Sequence, residues 1–208
     1  MTPAAAPFPP GFFDRLDPEP DAGFYVQPRL VTHIDDGAIA AVGELYDELA
    51  IHGRVLDLMS SWVSHFTPPP PADLVVLGMN SRELNANGAA AEVVVQDLNA
   101  DPELPFDAAT FDHAVCCVSV DYLTRPLDVF AEVAQLLRPG GLFVVTFSNR
   151  CFPTKAIRGW LQTDAAGHVK YVRRLFELTG GFGPPCSDLR TPLAGTGDPL
   201  YGVWAAKT

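Results

Sequence analysis

Short apolar runs and stretches of helical spacing take turns along the chain. The segments 54–58, 74–79, 92–96 and 142–147 are nearly continuous apolar runs, which is how strands covered on both faces of a parallel sheet read. Ahead of them, Ile39, Val42, Leu45 or Tyr46, and Leu49 recur at helical spacing behind Asp35 or Asp36 as cap, predicting a helix before the first strand. Thr124 and Pro126 open another helix, with Leu127, Phe130, Val133 or Ala134, and Leu137 on its apolar face, and Pro139-Gly140 closes it. Ser81 caps a brief helix that ends at Asn87-Gly88, and a longer one covers about 168–178 up to Gly180-Gly181. The tail offers two strands, near 187–193 and 200–206. Between the first two strands, 60–66 holds at most two helical turns before the prolines at 68–71 stop them.

Composition narrows the picture. A chain of 208 residues with 48% hydrophobic content suits a single α/β unit with a buried core. Residues 1–34 form an arm: Pro3, Pro7, Pro9, Pro10, Pro18 and Pro20 prevent a sustained helix near its start, while Phe8, Phe12 and Phe13 favour packing. The domain proper is then 35–208. A net charge of −11 repels a phosphate backbone or an anionic membrane, so nucleic acid and membrane are not expected partners. No apolar run is long enough to cross a bilayer, and no secretory signal is visible. The expected compartment is the cytoplasm. Cys116, Cys117, Cys151 and Cys186 lack metal-ligand or C-x-x-C spacing and read as small, mostly buried thiols, with no metal expected.

Three segments carry a family pattern. Leu104-Pro105-Phe106-Asp107, then Thr110 through Cys117 with Phe111-Asp112, then Leu137 through Val145 with Pro139-Gly140-Gly141, stand in that order. The chain from about Arg54 onward resembles the class I methyltransferases that use S-adenosylmethionine, in their small type 11 branch. The resemblance implies a Rossmann-like α/β fold: a mainly parallel seven-stranded sheet with an antiparallel last strand and helices on both faces. It also implies methyl transfer from S-adenosylmethionine to a small-molecule acceptor, and an arm that folds over the site as a lid.

The departure is in the nine residues Asp57 to His65. The family places glycines after its first strand, and this chain has Met59, Ser61 and Val63 there, a poor match for positive φ. Two outcomes stay open: a differently shaped loop that still binds the cofactor, or a space filled by Met59 and Trp62. By resemblance, Asp57, Met59, Ser60, Ser61 and Arg29 surround the methionine part of the cofactor. Asn80 replaces the family's ribose-binding acid, Asp97 and Leu98 read the adenine, and Cys117 lines the gap to the acceptor. Tyr122 and His65 are candidates for orienting or deprotonating that acceptor. Arg150, Lys155 and Trp160, after the fifth strand, are candidates for holding an anionic one. The alternatives are a catalytically inactive binding or regulatory module on this fold, or a non-methylating enzyme using the same cleft.

Overall fold

The computed structural model describes residues 6–191 and 197–208; Pro3, and Pro192 and Leu193 at the end of the first predicted tail strand, lie outside them. In chain order the elements are α1 (Asp21–Phe24), α2 (Asp36–Glu48), β1 (Arg54–Leu58), β2 (Asp73–Gly78), α3 (Ser81–Ala86), β3 (Glu92–Val95), β4 (His113–Cys117), α4 (Pro126–Leu136), β5 (Leu142–Phe147), α5 (Arg158–Leu161), α6 (Ala165–Thr179), β6 (Cys186–Leu189) and β7 (Tyr201–Ala206). The seven strands form one sheet in the order β3-β2-β1-β4-β5-β7-β6. Strands β1 to β5 pair in parallel, and β7 enters antiparallel between β5 and β6.

Alternation along each strand divides the core in two. Leu56 and Leu58 of β1 join Phe130 of α4 and Phe176 of α6 on one face of the sheet, while Val55 joins Val42 and Leu45 of α2 on the other. Asp57 therefore shares the α2 face with Val55. The predicted strands and the helices α2, α4 and α6 stand where the spacing puts them, save that the first tail strand ends at Leu189, and the Asp35 side chain caps α2 through the Ala38 amide.

Three expectations are corrected. The β3 segment, at the sheet edge, is only half covered: Val93 and Val94 pack on the two cores from opposite faces, while Glu92 and Val95 are exposed. The brief helix α3 is capped by Asn80 rather than Ser81: the Asn80 Oδ1 accepts from the Arg82 and Glu83 amides. Between β1 and β2 there is no helix at all. Met59 and His65 take left-handed φ values of 54° there, and the Ser60 amide donates to Leu77 of β2 instead of to a helical turn.

The arm lies on the body. The Asp17 amide donates to the Thr154 carbonyl, the Arg158 amide to Asp14, and the Gly159 amide to Phe12. Phe8, Phe12 and Phe13 cluster with one another, and Phe8 and Phe12 also meet Tyr171 of α6. Gly159 gives room at this seam, because a Cβ there would clash with the edge of the Phe12 ring.

Candidate active site

The strand order reverses between β1 and β4, which is where an open α/β sheet leaves a crevice beyond its carboxyl ends. A cavity of about 270 Å³ lies there, floored by the residues that follow β1 to β4 and roofed by the arm. Three non-glycine residues with positive φ border it: Met59, His65 and Val118, at 54°, 54° and 44°. For a β-branched valine this is a strained conformation, and strain of this kind collects at binding sites. The loop after β1 thus makes its sharp turn at Met59. Glycine appears one strand away, at Gly78, where a Cβ would run into the Ser60 carbonyl. Gly78→Ala is expected to cost about 1–3 kcal/mol in urea unfolding, since the obstacle is backbone. Gly88→Ala, with open space around it, serves as control, and equal effects would refute the close-approach argument.

Polar groups along the first loop are tied to one another. The Ser60 hydroxyl donates to Asp57 Oδ2 at 2.7 Å, and the Asn87 side chain donates to the Ser61 carbonyl and the Ser64 hydroxyl. Burial pushes the Asp57 carboxyl up to about 6, with hydrogen bonds from Ser64 and Ser60 opposing it. The Ser61 hydroxyl donates to Glu83 Oε2 at 2.8 Å, and the other Glu83 oxygen accepts the Arg29 backbone amide at 2.6 Å. The Arg29 guanidinium lies over Phe24, Tyr25 and Phe152 and donates through Nη2 to the Phe24 carbonyl. Its Nη1 is buried without a partner among the described residues. Trp62 borders the cavity with its indole N–H turned to the Val31 carbonyl of the arm.

At the ends of β2 and β3 the candidate contacts differ. Asn80 is spent on structure: besides capping α3 it donates through Nδ2 to the Tyr25 and Val26 carbonyls of the arm. Asp97 uses Oδ1 to accept from the Asn99 and Ala100 amides, and it borders the cavity together with Met79 and Leu98.

Beyond β4 and β5 the cavity wall holds Cys117, Ser119, Tyr122, Arg150, Cys151 and Phe152. Burial pushes the Cys117 thiol up to about 12, so it stays protonated. Burial, with the charge of Asp121 adding, raises the Tyr122 phenol far above its ordinary range, and its oxygen accepts the Phe152 amide at 2.8 Å. The Tyr122 phenol therefore keeps its proton at neutral pH. His65 is held below its ordinary value by burial and by nearby His33, leaving a neutral imidazole on the cavity wall. Arg150 pairs through Nε with Asp198 at 2.7 Å.

Lys155 and Trp160 lie elsewhere. Lys155 is 1% exposed and reaches Asp17, Asp21 and the Glu19 carbonyl, holding down the arm. Trp160 is buried in the core, stacked on His168 with ring centres 3.6 Å apart. Their positions after β5 suggested the cleft, but the chain turns inward there to meet an arm more than a hundred residues away in sequence. Sequence reasoning passed over Asp21, Glu83 and Asn99, which also border the cavity. Only Glu83 left a signal, since Asn80-x-x-Glu83 has the spacing of a capping box.

A family model described as a methyltransferase domain matches residues 71–145, beginning just after the altered first loop. No curated protein matches the chain. Among solved structures, a SAM-dependent methyltransferase of Thermotoga maritima aligns with a TM-score of 0.56 at 14% identity, covering 83% of this chain and 91% of that one. The phosphoethanolamine N-methyltransferase 2 of Haemonchus contortus, solved with S-adenosyl-L-methionine, gives 0.52 at 14% identity over 83% of this chain and 57% of that one. The [4+2]-cyclase SpnF gives 0.53 at 14% identity over 89% and 91%. At such identities the likeness is one of fold. S-adenosylmethionine is the cofactor this family implies, and the residues present fit it: the unpartnered Arg29 Nη1 suits its carboxylate, and a lining with Asp21, Asp57, Glu83 and Asp97 against Arg29 and Arg150 suits a sulfonium. Residues 71–145 thus match a methyltransferase domain, and the seven-stranded sheet that contains them has the fold of solved S-adenosylmethionine-dependent methyltransferases.

Proposed function

We propose that the protein is a cytoplasmic enzyme that transfers a methyl group from S-adenosylmethionine to a small-molecule acceptor, with the arm of residues 1–34 as the lid of the site. The observation that carries this reading is the buried, unpartnered Arg29 Nη1 beside a cavity at the carboxyl ends of β1 to β4. The bound sulfonium supplies an activated methyl group, and the chain's task is alignment in a dry site. In this reading Arg29 takes the cofactor carboxylate, Ser60 and Ser61 shape the loop around its methionine part, and the adenine lies against Met79, Asp97 and Leu98. Tyr122 orients the acceptor and neutral His65 accepts a proton where the acceptor must lose one. Arg150, at the mouth, favours an anionic acceptor.

Calorimetric titration with S-adenosylhomocysteine tests the proposal. Micromolar binding is expected, and no binding at millimolar ligand overturns it. Arg29→Ala is expected to lower that affinity about 10–100-fold, the worth of a hydrogen bond to a charged group. It should leave methylthioadenosine, which has no carboxylate, unaffected.

A second reading, a methyltransferase-fold module without catalysis, draws on one feature: Asn80 and Trp62 already bond the arm at Tyr25, Val26 and Val31, where a ligand has to enter. The likeness to a cyclase keeps a third chemistry in view only as a property of the fold.

A further inference from the structure

Glu83 stands at the third position of α3, behind the cap Asn80. A glutamate so placed ordinarily turns back to the amide of the cap residue. This one points away, to the Ser61 hydroxyl of the first loop and the Arg29 amide of the arm, and it borders the cavity. Each of its oxygens accepts one of these bonds, so each keeps a lone pair.

We propose that Glu83, and not the strand-end residue Asn80, receives the ribose hydroxyls of the nucleoside; this rests on the S-adenosylmethionine reading. Asn80 is committed on both sides of its amide: Oδ1 accepts two helix amides and Nδ2 donates to two arm carbonyls. To serve a ligand it must give up the cap of α3 or its hold on the arm. A vicinal diol brings two donors side by side, and a carboxylate with one free lone pair on each oxygen accepts both. Glu83, in the first turn of α3, bonds Ser61 of the loop after β1 and lines the same cavity as Ser60 and Asp97. The carboxylate has thus moved one helical turn inward from the strand end. In the same position it ties the arm to the first loop, so the groups that recognise the sugar are also those that hold the cover in place.

The test is the preference of the full-length protein for adenosine over 2′-deoxyadenosine and 3′-deoxyadenosine, measured by calorimetry. The parent is expected to bind adenosine about tenfold more tightly than either deoxynucleoside, and Glu83→Gln is expected to reduce that preference below about threefold. Asn80→Asp keeps an oxygen for the cap and tests the rival: if the strand-end residue meets the ribose, its new carboxylate raises the preference. A parent that binds all three nucleosides alike, a preference retained in Glu83→Gln, or a rise confined to Asn80→Asp overturns the proposal while leaving the S-adenosylmethionine reading intact. A parent that binds neither adenosine nor S-adenosylhomocysteine overturns both.

Discussion

Asp21→Asn is expected to remove about 3–5 kcal/mol of stability, the cost of leaving buried charge without its partner. Two cations converge on this one carboxylate: Arg15 at 2.7 Å to both oxygens and Lys155 at 3.2 Å, with Asn99 donating at 2.8 Å. Arg15, Asp21 and Lys155 have side chains 8%, 3% and 1% exposed. The amide of the variant has the same volume but no charge, so Lys155 keeps Asp17 and Arg15 is left beside it. The loss should be largest at the arm, because Arg15, Asp17 and Asp21 belong to the arm and Lys155 to the body. Urea unfolding measures the cost, and limited proteolysis measures release of the arm. A variant within about 1 kcal/mol of the parent, with an arm equally resistant to cleavage, contradicts the argument.

Asp121→Asn is expected to do the opposite at alkaline pH. Asp121 lies in the 3-10 turn Val120–Tyr122 after β4, almost wholly buried, and its Oδ2 has no partner among the described residues. Burial pushes its carboxyl up to about 8, while hydrogen bonds with its own amide and with Tyr122 pull the other way. The folded protein therefore holds a proton that the unfolded chain, titrating near the ordinary carboxyl value of 3.8, has released. Stability from this group is complete below the unfolded value and drains away as pH rises to the folded one, at up to about 1.4 kcal/mol per pH unit. Between pH 6 and pH 8 the parent should weaken, and the asparagine variant, which has no proton to lose, should not. Asp57, raised to about 6, adds a similar slope below pH 6 in both proteins. Denaturant unfolding at pH 6, 7 and 8 checks this, and parallel pH profiles for parent and variant would falsify the buried-proton argument.

Parts of the site could be read from the residues, and parts could not. Asp97, Leu98, Ser60, Ser61, Cys117 and Tyr122 border the cavity because each ends or follows a strand that can be read from the residues. Strand ends in a parallel sheet share one edge, so recognising the strands places them together. Val63 seemed the obstacle in the first loop, but Met59 takes the positive φ, an outcome decided by the close approach of Ser60 to Gly78 on the next strand. Asn80 looked free to meet a ribose. Its amide is claimed by Tyr25 and Val26, 55 and 54 residues earlier, a pairing no local pattern announces.

By itself the sequence determined the periodic elements, the parallel body of the sheet and the resemblance to a methyltransferase domain. Apolar period and turn residues act over a few positions, and the P-G-G turn with its flanking strands is a local signature. Tertiary structure alone decided the fates of the polar side chains. Lys155 became the anchor of the arm, Trp160 a core ring, Glu83 a wall of the cavity and Asp121 a buried acid, each through a partner or an absence of water supplied by distant segments. A charged group is stabilised by what surrounds it in space, and that surrounding exists only once the chain has folded.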